Sequence, residues 1–509
     1  MNVNVNVKYC IMAVLLLLLP HATSLIDHSY ACLKSTRSAS WPGFQRCPRA
    51  AISAVAPSTS SNLEVEAAIE SVIQASRTEL LPLFASIDQH TEQSLGRVLA
   101  AFRSHGVGTE HFAGVDGYGH GDLGRETLDE VYATLMGAEA AIVRVQCFSG
   151  THAIACALYG VLRPGDELLG VSGAPYDTLE EVIGLRGRTE DGLRGSLADF
   201  GVSYRQVELA EGGLFDLLAI AAAVTPSTRM LHVQRSCGYA WRPSIPVDEI
   251  GRLAAWLADA HPSIVLFVDN CYGEFVEARE PCAVGAHLVA GSLIKNPGGT
   301  LAPSGGYVAG RADLVAAASR RLSAPGVEGG ATLGMNRLLF QGLFHAPQVV
   351  GEAIKGAHLV AHVMGALGYT CNPAAGAPRT DIVQAVRLGE RDKVLTFCQA
   401  VQRCSPVGAH IRPIAGVTPG YGDEVVFADG TFIDGSTLEL SADGPLREPF
   451  AVYLQGGTHW THWVIVLREA LRSIAELGGG VEALYAEEES DEPAAAFKRY
   501  AGRRTLRNT

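Results

Sequence analysis

Short runs that are apolar on both faces, separated by helical periods, predict an α/β protein: a mostly parallel sheet sandwiched by helices, with a smaller α+β C-terminal domain after it. Residues 140–145 (AAIVRV), 167–171, 230–234 and 264–268 are such runs. A strand hydrophobic on both sides belongs in a sheet covered on both faces. Helical candidates such as 246–258 lie between them, which is the pattern of crossover connections. Past about Gly342 the texture changes: a long Ala/Val/Gly helix (347–367) leads into shorter strands at 380–386 and 424–427, with loops rich in Pro and Gly.

Along the chain, Lys8 precedes an apolar run from Ile11 to Leu19, followed by Pro20 and the small residues Ala22, Thr23 and Ser24. That is the layout of a signal peptide (1–24), too short for a comfortable bilayer span. Residues 25–62 carry one acid, Asp27, against Lys34, Arg37, Arg46 and Arg49, with much Ser and Ala, which reads as a transit peptide. The pair resembles the bipartite presequences of algae with complex plastids, so a plastid location is expected, with secretion as the alternative. Val65, Ile69, Val72 and Ile73 follow a helical period, so 63–102 read as helices within an N-terminal helical segment, 63–110. The large domain is expected over 111–345, with another helix at 124–136, and the small domain over 346–477. The remainder, 478–509, runs from EEESDE to a basic stub and reads as a solvated tail.

Composition narrows the function. With 48% hydrophobic and 18% charged residues, the 509-residue chain has the make-up of a folded soluble protein, and no membrane partner is expected for the mature form. A net charge of −13 without a basic block excludes nucleic acid as a main partner. The 11 cysteines are odd in number and none has CxxC spacing, so buried free thiols are expected rather than zinc or disulfides.

Four local signals carry chemistry. Ser149, Gly150 and Thr151 fall between the run AAIVRV and an apolar helix at 153–162. Small residues there leave backbone N–H groups free at a helix start, suiting either a phosphate or a plain N-cap. Tyr176, in SGAPYDT, lies past the next strand and could stack on a planar ligand or pack in the core. Asp269 ends IVLFV at the sheet's carboxyl edge, where it could face a protonated ring nitrogen or cap the next turn. Lys295, in GSLIKNPGGT, sits between an apolar run and a glycine pair, three residues after Ser292. Desolvation there would depress its pKa and make it a nucleophile toward a carbonyl.

Each signal is weak alone, but as an ordered set they are the parts of a pyridoxal 5'-phosphate site: phosphate turn, aromatic, acid, lysine. The gaps are 26 residues from Gly150 to Tyr176, 93 to Asp269 and 26 to Lys295. The order resembles the type I fold of pyridoxal phosphate enzymes. Ser292-x-x-Lys295 is similar to the S-x-x-K of the γ-family that includes cystathionine lyases and methionine γ-lyase. More narrowly, GYGHGDLGRETLDEVYATLMGAEAAIVRVQCFSGTHAI, VDNCYGEF, GSLIKNPGG, SGGYVAG, RLSAPG, ADGPLREP and VYLQGG resemble the aluminium-resistance or methionine γ-lyase-like family over about residues 65–475.

That resemblance implies a pyridoxal phosphate-dependent carbon–sulfur lyase acting on a sulfur amino acid. Cysteine desulfuration, transamination or a non-catalytic stress-tolerance protein on the same fold are the alternatives. It makes Lys295 the lysine that bonds the cofactor and Asp269 the pyridinium partner. Ser149, Gly150, Thr151 and Ser292 become phosphate ligands and Tyr176 the stacking aromatic. Tyr118 occupies the place of a tyrosine that reaches the phosphate of a neighbouring subunit, so a homodimer or homotetramer is implied. Those enzymes carry an arginine two residues later, where this chain has His120; Arg125 could compensate or serve a helix start.

The substrate carboxylate needs a clamp, and Arg447 in ADGPLREP is the first choice because Asp443, Gly444 and Pro445 imply a fixed turn; Arg412 and Arg379 are fallbacks. Two patterns are set aside. Gly119-x-Gly121-x-x-Gly124 lacks a preceding apolar strand, so no dinucleotide is expected. His459 and His462 have HxxH spacing, but the tryptophans beside them suggest packing, and no metal is expected.

Overall fold

The computed structural model describes residues 44–46, 59–186, 195–327, 329–418 and 420–486. The signal-like segment, most of the transit-like segment and most of the expected tail lie outside the described residues.

The first long element is a single helix of 46 residues, Thr59–Ser104 (α1), with Pro82 inside it. A proline removes one helical donor, but the apolar stripe runs on past it: Val65, Ile69, Val72, Ile73, Leu80, Phe84, Ile87 and Val98 are all buried. Helix Leu123–Met136 (α2) follows, capped by Asp122.

The main sheet has seven strands: Ala140–Arg144 (β1), Glu167–Gly170 (β2), Ser203–Gln206 (β3), Thr228–Gln234 (β4), Val265–Asp269 (β5), Leu288–Ser292 (β6) and Gly306–Gly310 (β7). Their order is β1-β7-β6-β5-β4-β2-β3. The pairs β2–β3, β2–β4, β4–β5 and β5–β6 are parallel, and β7 alone runs against both its neighbours. Helices Gly150–Val161 (α3), Asp177–Ile183 (α4) and Val247–Ala260 (α5) lie in the connections.

Alternation along β5 shows why its run is apolar on both faces. Val265 and Phe267 join a cluster with Ile154, Leu158 and Val161 of α3, whereas Leu266 and Val268 join one with Ile250, Leu253 and Leu257 of α5. The sheet is sandwiched as expected, and the carboxyl ends of β4, β5 and β6 share one edge.

Beyond it, helix Asn336–Ala366 (α6) starts eleven residues earlier than expected, with Pro347 inside rather than at its start. Proline favours the first helical turn, which is what misplaces the boundary in a sequence reading. The second sheet is antiparallel: Thr370–Asn372 (β8), Gln384–Arg387 (β9), Gly416–Val417 (β10), Glu424–Ala428 (β11), Ser441–Pro445 (β12) and Ala451–Gln455 (β13), in the order β10-β11-β12-β13-β9-β8. Helices Arg391–Arg403 (α7) and Thr461–Gly478 (α8) pack with it.

Two local expectations change. The strand expected at 380–386 begins only at Gln384, because Asp381 accepts from Ser236 Oγ (2.7 Å) and from the backbone N of Val383 (3.1 Å), which ties that stretch into a turn. Asp443, Gly444 and Pro445 form a buried strand rather than a turn. Among the described residues no helix is long and apolar enough to cross a membrane, and no group of metal-ligating side chains is found.

Candidate active site

The site is built on the carboxyl edge of the main sheet. Asp269 ends β5, in register with Gln234 of β4 and Ala290 of β6. It is buried, and its Oδ1 accepts from the backbone N of Cys271 at 3.1 Å, so the capping role is present. Behind it His232 stacks on Phe267, and burial pushes its imidazole down to about 4 against the pull of Asp269. That ring is neutral near pH 7.

The stretch GSLIKNPGGT leaves β6 at Ser292 and turns back on itself. Asn296–Gly298 form one 3-10 turn, and the Asn296 side-chain amide donates to the Glu274 carbonyl at 3.0 Å. The glycine pair is a packing requirement. A Cβ on Gly298 would lie 1.6 Å from the Leu293 carbonyl oxygen, and Gly299 has φ +51 with the Gly342 carbonyl 2.1 Å from where its Cβ would stand. This turn delivers Lys295, whose Nζ lies 4.0 Å from the centroid of the Tyr272 ring. Tyr272 itself has φ 71, a left-handed conformation that costs a non-glycine residue free energy and recurs at functional sites.

The expected depressed lysine pKa is not found. Burial does pull Lys295 down, but Tyr272, Cys271 and Asp269 outweigh it and hold the amine well above its ordinary value. Without the cofactor Lys295 is an ammonium.

Ser149 caps α3, accepting from the His152 backbone N at 3.2 Å, and Thr151 Oγ1 meets Thr178 Oγ1 at 3.0 Å. Gly150 lies against the lysine segment: a Cβ there would be 3.0 Å from Ser292 Cβ and 3.2 Å from Cys271 Sγ. Ser292 is buried and its Oγ has no hydrogen-bond partner. An orphaned hydroxyl beside the N-terminus of a twelve-residue helix is a donor set that fits a phosphate group. The residues present thus fit pyridoxal phosphate: phosphate donors at the start of α3 and at Ser292, a buried carboxyl at Asp269 and the amine of Lys295.

Tyr176 precedes α4, two residues before the threonine that meets Thr151. Its ring packs edge-on against Tyr239 at 5.5 Å and against Tyr421 at 6.1 Å, and its hydroxyl lies 3.0 Å from that of Tyr421. The Tyr239 hydroxyl donates to Asp443 Oδ2 at 3.0 Å. Sequence reasoning missed Tyr272, Tyr239 and Tyr421 and took Asp443 only as part of a turn. Tyr272 stands three residues after Asp269 and was within reach of that signal; the other three come from segments far apart in the chain.

Two expected residues stand apart. Tyr118 is exposed and stacks on His120 at 5.5 Å. Arg125 is buried and donates to the carbonyls of Gly119 (2.6 Å) and Gly330 (3.0 Å), a structural role. Arg447 lies half-exposed beside Tyr176's neighbour Asp177 (3.9 Å) and pairs with Asp423 at 2.6 Å. Of the fallbacks, Arg379 is buried with Nε and Nη1 unpartnered. His462 Nε2 faces the Cys404 carbonyl at 2.8 Å.

The family profile described as methionine gamma-lyase matches residues 69–475. The chain belongs to the methionine gamma-lyase family. This is a family of pyridoxal phosphate-dependent lyases, and membership implies that cofactor. Uncharacterized protein YnbB of Bacillus subtilis is 47% identical over 400 residues, which cover 78% of this chain and 94% of that one. A solved structure from Clostridium novyi, described as a carbon–sulfur lyase involved in aluminium resistance, is similar with TM-score 0.76 and 38% identity, covering 82% of this chain and 99% of that one. L-methionine gamma-lyase of Pseudomonas putida is 31% identical over 210 residues, 41% of this chain and 47% of that enzyme. A pyridoxal phosphate-dependent protein of Escherichia coli shares the fold at 20% identity and TM-score 0.51, over 76% of this chain and 97% of its own. The fold is type I, as the resemblance implied.

The expected plastid location is corrected by these relatives. They are proteins of Bacillus, Clostridium, Pseudomonas and Escherichia, bacteria that have no plastids. The expectation rested on the Ser/Ala-rich, basic composition of residues 25–62, which precede the matched region and have no counterpart in it.

Proposed function

We propose that this chain is a pyridoxal phosphate-dependent carbon–sulfur lyase that releases a thiol, ammonia and a 2-oxo acid from a sulfur amino acid. The observation that carries the reading is the convergence of Lys295, Asp269, Gly150 and an unpartnered Ser292 hydroxyl on one sheet edge. When bound, the cofactor supplies an electron sink that acidifies the substrate's α-carbon. Lys295 then takes the α-proton, and Asp269 supplies the negative charge that keeps a ring nitrogen protonated. Ser149, Gly150, Thr151 and Ser292 bind the phosphate, Tyr176 flanks the ring plane and gives a proton to the departing sulfur, and Arg447 holds the substrate carboxylate. Exposed Tyr118 would serve the site of a second copy, in a homodimer or homotetramer.

The test is reconstitution of the full chain with pyridoxal phosphate. Wild type should turn yellow, and Lys295→Ala should lose that band. Ser292→Ala should weaken retention of the cofactor by about tenfold, the scale of one hydrogen bond to a charged group, while leaving the melting temperature without cofactor unchanged. Thiol, ammonia and 2-oxo acid are then assayed with methionine, cystathionine, cysteine and homocysteine. A colourless wild type, or no thiol from any of the four, overturns the proposal.

A further inference from the structure

Asp443 stands in the middle of β12, opposite Phe427 of β11 and Tyr453 of β13. It is buried, yet its Oδ2 takes two hydrogen bonds, from the Tyr239 hydroxyl at 3.0 Å and from the Gln455 amide at 3.2 Å. Oδ1 has only Ser441 Oγ, at a long 3.5 Å. Tyr239 in turn packs its ring against Tyr176 at 5.5 Å and Tyr421 at 5.9 Å, and the hydroxyls of those two are 3.0 Å apart. A buried carboxyl is thus hydrogen-bonded to a tyrosine whose ring packs on the hydroxyl-linked pair that includes Tyr176.

We propose that Asp443 and Tyr239 are positioning residues for a proton on Tyr176: the protonation state of Asp443 sets which way the Tyr239 hydroxyl points. The proposal rests on the lyase reading above and deepens it. As a carboxylate, Asp443 only accepts, so Tyr239 must donate to it and can only accept from Tyr176. As a carboxylic acid with its proton on Oδ2, Asp443 donates to Tyr239 while that oxygen still accepts from Gln455, and the Tyr239 proton is free to turn toward Tyr176. When the carbon–sulfur bond breaks, its electron pair leaves on sulfur and the Tyr176 proton moves there. The Tyr239 proton passes to the Tyr176 oxygen and the Asp443 proton to the Tyr239 oxygen. Asp443 ends as a carboxylate and recovers its proton from solvent.

The groups around Asp443 set this poise near neutrality. Burial comes first and raises the carboxyl, the Tyr239 hydrogen bond opposes it, Asp429 at the end of β11 raises it, and Lys295 and Gln455 pull it back, leaving it at about 7. The facing phenols of Tyr176, Tyr239 and Tyr272 are all raised by burial, as is the Cys398 thiol of α7, so none of them is an anion at neutral pH. Lys295 is the cation among these neighbours. Loss of its charge therefore pushes Asp443 toward the acid form, the form that supplies Tyr176.

The decisive measurement needs neither cofactor nor turnover. On the cofactor-free full chain, infrared difference spectra across about pH 5 to 9 follow the carboxylic-acid C=O stretch, a range that brackets the carboxyl's about 7. Wild type should show two carboxyls titrating in this range: one near pH 7 that Asp443→Asn removes and Lys295→Ala moves to higher pH, and Glu274 near 8, which Asp443→Asn leaves in place. A tyrosine hydroxyl signal should titrate in step with the first, and Tyr239→Phe should abolish that step while keeping the carboxyl titration. In the loaded enzyme, Asp443→Asn and Tyr239→Phe should each lower kcat for thiol release by about tenfold or more with KM little changed, below the full effect of a general acid. No carboxyl lost in Asp443→Asn, no shift in Lys295→Ala, or a tyrosine step that survives Tyr239→Phe would each overturn the inference. Absence of thiol release by wild type sinks the lyase reading instead, and the cofactor-free titration still decides this one.

Discussion

Arg447 has two descriptions that differ in what a neighbouring carboxylate does. If it is a surface ion pair, Asp423 at 2.6 Å is its partner and both residues contribute to one weak contact. If it clamps the substrate carboxylate, Asp423 is a competitor that the substrate must displace. The two descriptions predict different signs. With Arg447 as clamp, Arg447→Gln should raise KM for the amino acid by about tenfold to a hundredfold with kcat nearly kept, the pattern of lost uniform binding. Asp423→Asn should lower KM several-fold, because the guanidinium no longer has to exchange partners. An ion pair without a substrate role would leave KM unmoved in both. Steady-state kinetics of the two variants decide the matter, and the buried Arg379, with two unpartnered nitrogens, is the residue to test if both are silent.

At the scale of elements, the lysine turn rests on a buried acid. Glu274 accepts from the Tyr307 hydroxyl at 2.8 Å through Oε1, while its Oε2 is unpartnered, and its carbonyl receives the Asn296 amide. Burial raises this carboxyl to about 8, against the pull of its own backbone and of Tyr307. Between the ordinary value of 4.5 and about 8 the folded chain therefore holds a proton that the unfolded chain has released. Stability must fall as pH rises through that window, by up to about 1.4 kcal/mol per unit, and the loss is complete above it. Glu274→Gln removes the proton linkage but keeps the shape. It should match wild type near pH 4 and melt increasingly higher than wild type toward pH 8, read by thermal unfolding of the cofactor-free chain. Equal melting curves at every pH would show that the carboxyl is not buried as a neutral acid.

The same scale shows what the sequence could reveal. Lys295 and Asp269 were legible because Asp269 ends an apolar strand and Lys295 follows another within one turn, a local pattern with a physical cause. The glycines after Lys295 read as a turn for the right reason, since Gly298 has no room for a side chain. Asp443 was visible only as part of a supposed turn, because D-G-P satisfies turn chemistry, and strand pairing on both sides overrides it. The Tyr176, Tyr239 and Tyr421 cluster is assembled from residues up to 245 positions apart and leaves no local trace. The error on Lys295 has the same origin: desolvation is legible at one position, whereas the neighbours that reverse its effect come from another strand.

For the whole molecule, the open point is whether α1 is an appendage or part of the core. Its sequence reads as a separate helical segment, but Ile69 and Ile73 are fully buried and belong to the cluster that also contains Leu266 and Val268 of β5 and Val452 of β13. Its outer face makes ion pairs with α8, Glu70 with Arg468 and Glu66 with Arg472, all partly exposed. Magnitudes separate the two contributions. Exposed pairs contribute under about 1 kcal/mol each, whereas truncating a buried isoleucine costs about 2 to 5 kcal/mol. Ile73→Ala should therefore lower the urea midpoint of the full chain markedly, and Glu70→Gln should barely move it. The form of the transition carries the rest of the argument. A helix that merely leans on the protein would unfold in an early step, leaving the fluorescence of the buried Trp463 unchanged in a chain whose Trp460, which packs on Phe84 of α1, is replaced by Phe. A helix built into the shared core shifts the helical signal and Trp463 fluorescence together, in one transition, because neither sheet can keep that cluster dry without it.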